Sequence, residues 1–280
     1  MKKQLITLAA GVIAATSALT MTACGNSNVI YVDTNAYFAP FEYYDSNLNI
    51  KGVDVDIMNK VGEKLGKKVV FENTDFDVII DNVQSGKKYD CGAAGITVTD
   101  ERKEKVDFSN PYFTSVQYAI LPENAAVETY TDGDVSYILW GELAGKKIGY
   151  QRDTTGDIYV NLEIQGEDGY TGQLQNAQGT EGKGYDNAQL AVDAIKAKQV
   201  DVTVVDKLPA EYIVKNNQGY KCYAVYYPAD AEHEKDYPTE EQYAICVTKG
   251  NAELLNAINE VLDELGEEGV NKLVTQHLGF

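Results

Sequence analysis

Between Val29 and Ile96 the spacing of apolar residues switches repeatedly between two periods, and that switching limits the folds open to the chain. Val29 to Asp33 is a short β-prone run. From Val53 the apolar positions fall at helical spacing (Val53, Ile57, Val61, Leu65), and Gly66 followed by Lys67 and Lys68 closes that helix. Val69 to Phe71 predicts a second strand. Phe76 to Val83 predicts a second helix, ended by Ser85-Gly86, and Cys91 to Ile96 a third strand. A β-α-β-α-β order calls for a largely parallel sheet with helices on its faces, because parallel neighbours need a long crossover. A second such unit begins at Lys146 to Tyr150 and continues through a helix at Ala188 to Ala197 and a strand at Asp201 to Val205. Ala252 to Leu265 predicts an amphipathic closing helix, with a shorter one from Val270. The 280 residues leave room for two α/β lobes, each with its own core. Thr129 to Tyr137 and Leu162 to Tyr185 have few apolar anchors and are expected to be loops or an exposed hairpin. Gly179 to Gly184 is read as a flexible loop.

Composition narrows the partners. The formal net charge of −19 argues against nucleic acid, which needs basic surface, and against broad adhesion to anionic lipid. Nor does a catalytic motif emerge. The two histidines, His233 and His277, are far apart, and neither a His-Glu-x-x-His, a Gly-x-Ser-x-Gly elbow nor a P-loop occurs. Without a Cys-x-x-Cys pair there is no zinc-ribbon reading, so neither metal nor cofactor is expected. Cys91, Cys222 and Cys246 sit in apolar, strand-like contexts and are expected as buried free thiols, with a Cys222–Cys246 disulfide as the minor alternative.

The run Gly95-Ile96-Thr97-Val98-Thr99-Asp100-Glu101-Arg102 takes a strand through a turn into a helix start. Thr99 is placed to cap that helix, with Asp100 and Glu101 complementing its positive end. Two readings stay open at this point. The run is a helix cap and nothing more, or the helix start and the Arg102 guanidinium also hold a carboxylate.

At the N-terminus, Lys2 and Lys3 precede an apolar stretch from Leu5 to Leu19 that ends in Met21-Thr22-Ala23-Cys24. This is the layout of a secretory signal. Met-Thr-Ala-Cys also resembles the lipobox of bacterial lipoproteins, which implies cleavage before Cys24, acylation of that residue and a short polar tether over 24–28.

The octet ending at Arg102 resembles the Gly-x-Thr-x-Thr-x-x-Arg motif of family 3 solute-binding proteins, the amino-acid receptors of ABC importers. Other segments match in order: Ala39 to Tyr43, Gly52 to Ile57, Asp75-Phe76-Asp77, Phe108 to Tyr112, and the tail from Ala244. The resemblance implies the type II periplasmic-binding-protein fold. Two α/β lobes are joined by hinge strands near Tyr118–Leu121 and Tyr243–Val247, with a ligand cleft between them. The implied division is a signal peptide over 1–23, lobe one over 29–119 and 244–280, and lobe two over 120–243. The family's ligand contacts map onto Arg102 for the α-carboxylate and onto Gly95, Thr97 and Asp206 for the α-ammonium. Thr154 and Thr155 fall where lobe two closes on the carboxylate, and Phe38 and Phe76 where aromatic walls flank the side chain. Asp206 and Phe76 also have plainer readings, as a helix cap and a core residue.

Two departures stand out. Asp153 occupies a position that is usually glycine in the family, and Asn35 stands where members binding basic or amide side chains often carry Asp. Asn35 inclines the reading toward a polar, uncharged side chain. The expected protein is a monomeric, lipid-anchored, extracytoplasmic receptor that delivers a free amino acid to permease subunits and is not an enzyme. The alternatives are a ligand-sensing module for a signalling receptor and a dehydratase on the same scaffold.

Overall fold

A computed structural model describes residues 28–279. The expected signal peptide, Cys24 and the tether before Asn28 lie outside the described residues.

Lobe one is built on a five-stranded sheet in the order Lys68–Asn73, Val29–Thr34, Cys91–Gly92, Cys246–Val247, Asp107–Phe108. The first three strands are parallel, and Cys246–Val247 runs antiparallel to both of its neighbours. Alternation along Val29–Thr34 sends Ile30 and Val32 to one face, where they join Ile57, Met58 and Val61 of helix Val53–Leu65 and Ile258 and Val261 of helix Ala252–Leu278. Tyr31 points the other way, to Ile79 and Val83 of helix Phe76–Ser85. Gly66 and Gly86 close their helices in the left-handed conformation. The last helix is broken at Gly266, one residue after the expected end.

Lobe two holds a nine-stranded sheet whose main path runs Glu181–Tyr185, Lys147–Gln151, Val202–Asp206, Phe113–Pro122, Tyr220–Tyr227, Val135–Leu139, Tyr130–Asp132. Helices Thr155–Gln165, Ala188–Lys196 and Lys207–Asn216 cover it. Trp140, Leu143, Ile148, Val160 and Val202 form a dry core on one face.

The structure departs from the sequence reading in several places. Glu181–Tyr185 is a parallel edge strand beside Lys147–Gln151, not a flexible loop. Its glycines concealed it, yet they are what the pairing requires. A Cβ on Gly184 would lie 2.7 Å from Arg152 Cγ and 3.3 Å from the Tyr150 ring, so the neighbouring strand's side chains cover this backbone. Thr129–Tyr137, by contrast, holds the hairpin that was one of the two expected forms, pairing Asp132 with Val135 around Gly133. The strand at Cys91 stops at Gly92. Cys222 lies in the lobe-two sheet and Cys246 in the lobe-one sheet, and Cys91, Cys222 and Cys246 are all free. Cys222 is only partly buried.

The lobes are connected by antiparallel strands. Phe113 to Val116 pair with Tyr243 to Glu240, and the same long strand then enters the lobe-two sheet from Gln117 onward. The crossing on the first strand therefore lies just before Tyr118–Leu121, which are already locked between Val202–Asp206 and Tyr220–Tyr227. On the return, Cys246–Val247 already belongs to lobe one. An aromatic cluster fills the junction: Phe41 sits 5.1 Å from Phe113 and 5.0 Å from Tyr243, both edge-on. Such contacts between rings favour one packing over many.

Candidate functional site

A cavity with an empty volume of about 290 Å³ lies between the lobes. Lobe one contributes Asn35, Phe38, Glu42, Phe76, Ala94, Gly95, Thr97 and Arg102, and lobe two contributes Gln151, Thr154, Thr155 and Asp206. Every residue that the sequence motifs marked for ligand contact lines this one cavity.

The Gly95–Arg102 run explains much of the geometry. Gly95 takes φ +54°, and a Cβ there would meet Phe38 Cε1 at 2.8 Å, so glycine lets that ring lie against the turn. Thr99 Oγ1 accepts the Arg102 N–H at 3.2 Å, the expected cap. The cap aims Arg102 inward, and its side chain is buried. Nη1 donates to the Thr97 carbonyl at 2.9 Å, and Nη2 reaches across the cleft to the Asp153 carbonyl at 2.5 Å. Phe76 stacks on the guanidinium at 5.5 Å, so it is a wall of the cavity. Burial pulls the Arg102 pKa down, opposed by Asp153 and Glu241, but guanidinium remains cationic in any protein environment.

Asp153 itself adopts φ +62°, the left-handed backbone that glycine takes without strain. Its N–H donates to Asp157 Oδ2 at 2.8 Å, and only its carbonyl turns to Arg102. The departure from glycine thus leaves the acidic side chain outside the cavity. Arg152 faces outward as well, pairing with Asp186 and, across the lobes, with Asp77 at 3.6 Å.

Asp206 ends strand Val202–Asp206 and makes no side-chain cap to the helix that follows, which removes the plainer reading. Gln117 Nε2 donates to it at 3.2 Å. Burial, then the neighbouring Glu241, pushes its carboxyl well above the usual range. Glu241 accepts from Thr97 Oγ1 at 2.6 Å, from Thr155 Oγ1 and from Gln117 Nε2, and so ties both lobes to a connecting strand. Asn35 is also engaged across the cleft. Its Oδ1 accepts from Gln151 Nε2 at 3.1 Å and its Nδ2 donates to the Thr74 carbonyl at 2.7 Å. Thr154 Oγ1 caps helix Thr155–Gln165 and donates to the Gln151 carbonyl at 2.8 Å.

Sequence reasoning missed Glu42, Gln117, Gln151 and Glu241. A signal existed for Glu241. In Glu240–Tyr243 burial alternates, which puts Glu241 on the same side as buried Tyr243. The same alternation puts Gln117 on the buried face between Ser115 and Ala119.

Beneath Gly95, buried Asp54 accepts from the Tyr112 hydroxyl at 2.5 Å and the Gly95 N–H at 3.0 Å. Burial outweighs these bonds and pushes its carboxyl up to about 6. An unfolded aspartate titrates near 3.9, so the folded state prefers the protonated form. That stabilising preference is complete below the unfolded value and is lost as pH rises through about 6. The gap corresponds to about 3 kcal/mol lost by about pH 8. Urea unfolding from pH 5 to 8 should show about half of this loss, and the curve for Asp54→Asn should be flatter by about 1.4 kcal/mol over that range. Equal slopes would remove Asp54 as the cause.

Chemically, the site offers a guanidinium beside a helix N-terminus for an anion, and carboxyl groups opposite for a cation. Among the described residues no cluster fits a metal ion, and no helix is long and apolar enough to cross a membrane.

Comparison with known proteins agrees with this architecture. The chain is 29% identical over 267 residues to a probable histidine-binding protein of Neisseria gonorrhoeae, covering 91% of this chain and 89% of that one. It is 26% identical over 277 residues to the arginine-binding extracellular protein ArtP of Bacillus subtilis, covering 96% and 94%. A solved ancestral arginine-binding protein bound to arginine superimposes with a TM-score of 0.72 at 32% identity, covering 89% of this chain and 97% of that one. Residues 30–279 match the model of bacterial extracellular solute-binding proteins, family 3, and with a two-lobed α/β fold closed around one inter-lobe cavity the chain belongs to that family.

Proposed function

We propose that this chain captures a free amino acid between its lobes and delivers it to the permease of an ABC importer. One observation carries the reading: Arg102 and Asp206, from opposite lobes, line the same buried cavity. A zwitterion needs a partner for each charge when it leaves water, since an unpaired buried charge costs several kcal/mol. Arg102 and the first turn of helix Thr155–Gln165, with Thr154 and Thr155, take the α-carboxylate. Asp206, the Gly95 carbonyl and the Thr97 hydroxyl take the α-ammonium. Phe38 and Phe76 flank the side chain, and Asn35 closes the cleft through Gln151. The two lobes act as the closing bodies, joined where Phe113–Val116 pair with Glu240–Tyr243, so ligand completes contacts that neither body makes alone.

The amino-acid specificities of the Neisseria and Bacillus relatives support this class of cargo. The same scaffold serves a solved ancestral amino-acid-binding protein described as a precursor of cyclohexadienyl dehydratase, 26% identical with a TM-score of 0.70. Here the paired Arg102 and Asp206 favour capture over turnover, and the chain acts as a monomeric receptor, not an enzyme. Cys24 carries the lipid that holds it at the outer face of the membrane, and the mass of the mature N-terminal peptide tests that assignment.

The direct test is a calorimetric titration of the full chain, in mild detergent, with each standard amino acid. At least one should bind with a Kd in the micromolar range or below, raise the melting temperature in proportion to its affinity, and be recovered unchanged. If none binds, capture of an α-amino acid is wrong.

A further inference from the structure

Glu241 stands on strand Glu240–Tyr243, which pairs with Phe113 to Val116 where the chain passes between the lobes. It is 5% exposed, yet it is not among the residues that line the cavity. One carboxylate oxygen, Oε2, accepts the Thr97 hydroxyl of lobe one at 2.6 Å and also the Thr155 hydroxyl of lobe two. Those two hydroxyls, one from each lobe, lie 3.4 Å apart. The other oxygen, Oε1, accepts from Gln117 Nε2 on the first connecting strand.

Other contacts also cross the cleft, and their worth differs. Arg152 and Asp77 approach to 3.6 Å at the rim, but their side chains are 45% and 36% exposed, so water and salt screen the pair. Gln151 and Asn35 share one bond between neutral amides. Arg102 gives one bond to the Asp153 carbonyl. Glu241 joins both lobes and both connecting strands through one buried carboxylate, and bonds to a charged group are about twice as strong as neutral ones. Its strand is held in register with Phe113 to Val116, so Oε2 cannot follow both hydroxyls when the lobes part. Opening therefore breaks at least one of these bonds.

We propose that Glu241 is a positioning residue that pins the lobes together, so that the closed form is the majority form before any solute arrives. Entry then waits on a transient opening, and a bound solute adds to a closure that the protein already favours. The pin acts through Thr97 and Thr155 and touches no cargo. It rests on the two-lobe hinge of the reading above, but not on what the cleft holds.

Pulsed electron paramagnetic resonance tests this on the full chain in mild detergent, with spin labels on Lys87→Cys in lobe one and Lys196→Cys in lobe two, both exposed positions. The background carries Cys24→Ser and Cys222→Ser, and Cys91 and Cys246 are buried. Denaturation and refolding first strip bound solutes. With none added, the wild type should give one narrow distance distribution, and a mixture of the standard amino acids should leave its position unchanged. Glu241→Ala should raise the open-to-closed ratio at least ~10-fold, seen as a second, displaced population, the size expected for losing a bond to a charged group. Thr155→Val removes only the lobe-two arm, leaves Glu241 its bonds to Thr97 and Gln117, and should raise the ratio at least ~3-fold. A wild-type distribution that moves when the amino acids are added means that solute, not Glu241, closes the lobes, and overturns the proposal. So does a Glu241→Ala distribution that matches wild type. Should Glu241→Ala fail to fold, Thr155→Val decides, and an unchanged distribution there overturns the pin. The comparison of variants needs no cargo, so a failure of amino-acid capture in calorimetry leaves the pin standing, and loss of the pin leaves amino-acid capture standing.

Discussion

Replacing Arg102 with alanine should weaken amino-acid binding by about two to four orders of magnitude, because removing one partner of a buried charge pair costs about 3–5 kcal/mol. The guanidinium is held from several sides: Thr99 fixes its backbone, the Thr97 carbonyl takes Nη1, and Phe76 presents its ring face to Cζ. Arg102→Lys should recover little, since a point charge cannot reproduce the planar fork on a carboxylate. Calorimetry on wild type and both variants reads this directly, with ligand-free melting temperatures as the control for folding. A variant that keeps its melting temperature and binds within threefold of wild type would move the α-carboxylate away from Arg102.

The second large effect is on stability and lies far from the cleft. Glu163 of helix Thr155–Gln165 is fully buried, and it accepts from the Tyr170 hydroxyl at 2.6 Å, the Tyr227 hydroxyl at 2.9 Å and the Gln173 N–H at 2.6 Å. The main chain adds a bond from Leu174 N–H to the Glu163 carbonyl. This carboxylate therefore pins the polar segment after the helix, and Leu174 drops into the lobe-two core beside it. Burial first, then the Glu163 charge, keeps both tyrosines protonated well above their usual range. Glu163→Ala leaves three donors unpaired and should cost about 3 kcal/mol in urea unfolding, each bond to a charged group being worth ~1.5–3 kcal/mol before relaxation. Amide exchange over residues 166–180 should accelerate in the same variant. A loss under about 1 kcal/mol would mean that water replaces the carboxylate at little cost.

These cases mark what a sequence can and cannot disclose. Helix Val53–Leu65 and its Gly66 cap were legible because period, terminator and charge agree. Arg102 was legible because a strand, a capping threonine and an acidic first turn announce a helix start, and its purpose became specific only through family resemblance. Glu163 was not legible, because a glutamate in a polar stretch reads as solvated and two of its three partners, Tyr170 and Gln173, lie in a segment with no periodicity. Glu42 sat inside a recognised motif, but its burial in the cavity wall beside Asp54 is a property of packing, not of spacing. Gln117 and Glu241 are polar residues on strands that connect the lobes, where the usual link between burial and hydrophobicity fails because the buried face borders a cavity.

The edge strand Glu181–Tyr185 has a consequence for how these molecules tolerate one another. Open sheet edges template pairing with foreign strands. The exposed part of this edge presents Glu181, Gly182 and Lys183, and the opposite edge of the sheet is the short segment Tyr130–Asp132. Charges on a short edge strand disfavour pairing with an incoming chain. Glu181 and Lys183 therefore guard the sheet edge that the glycines leave bare.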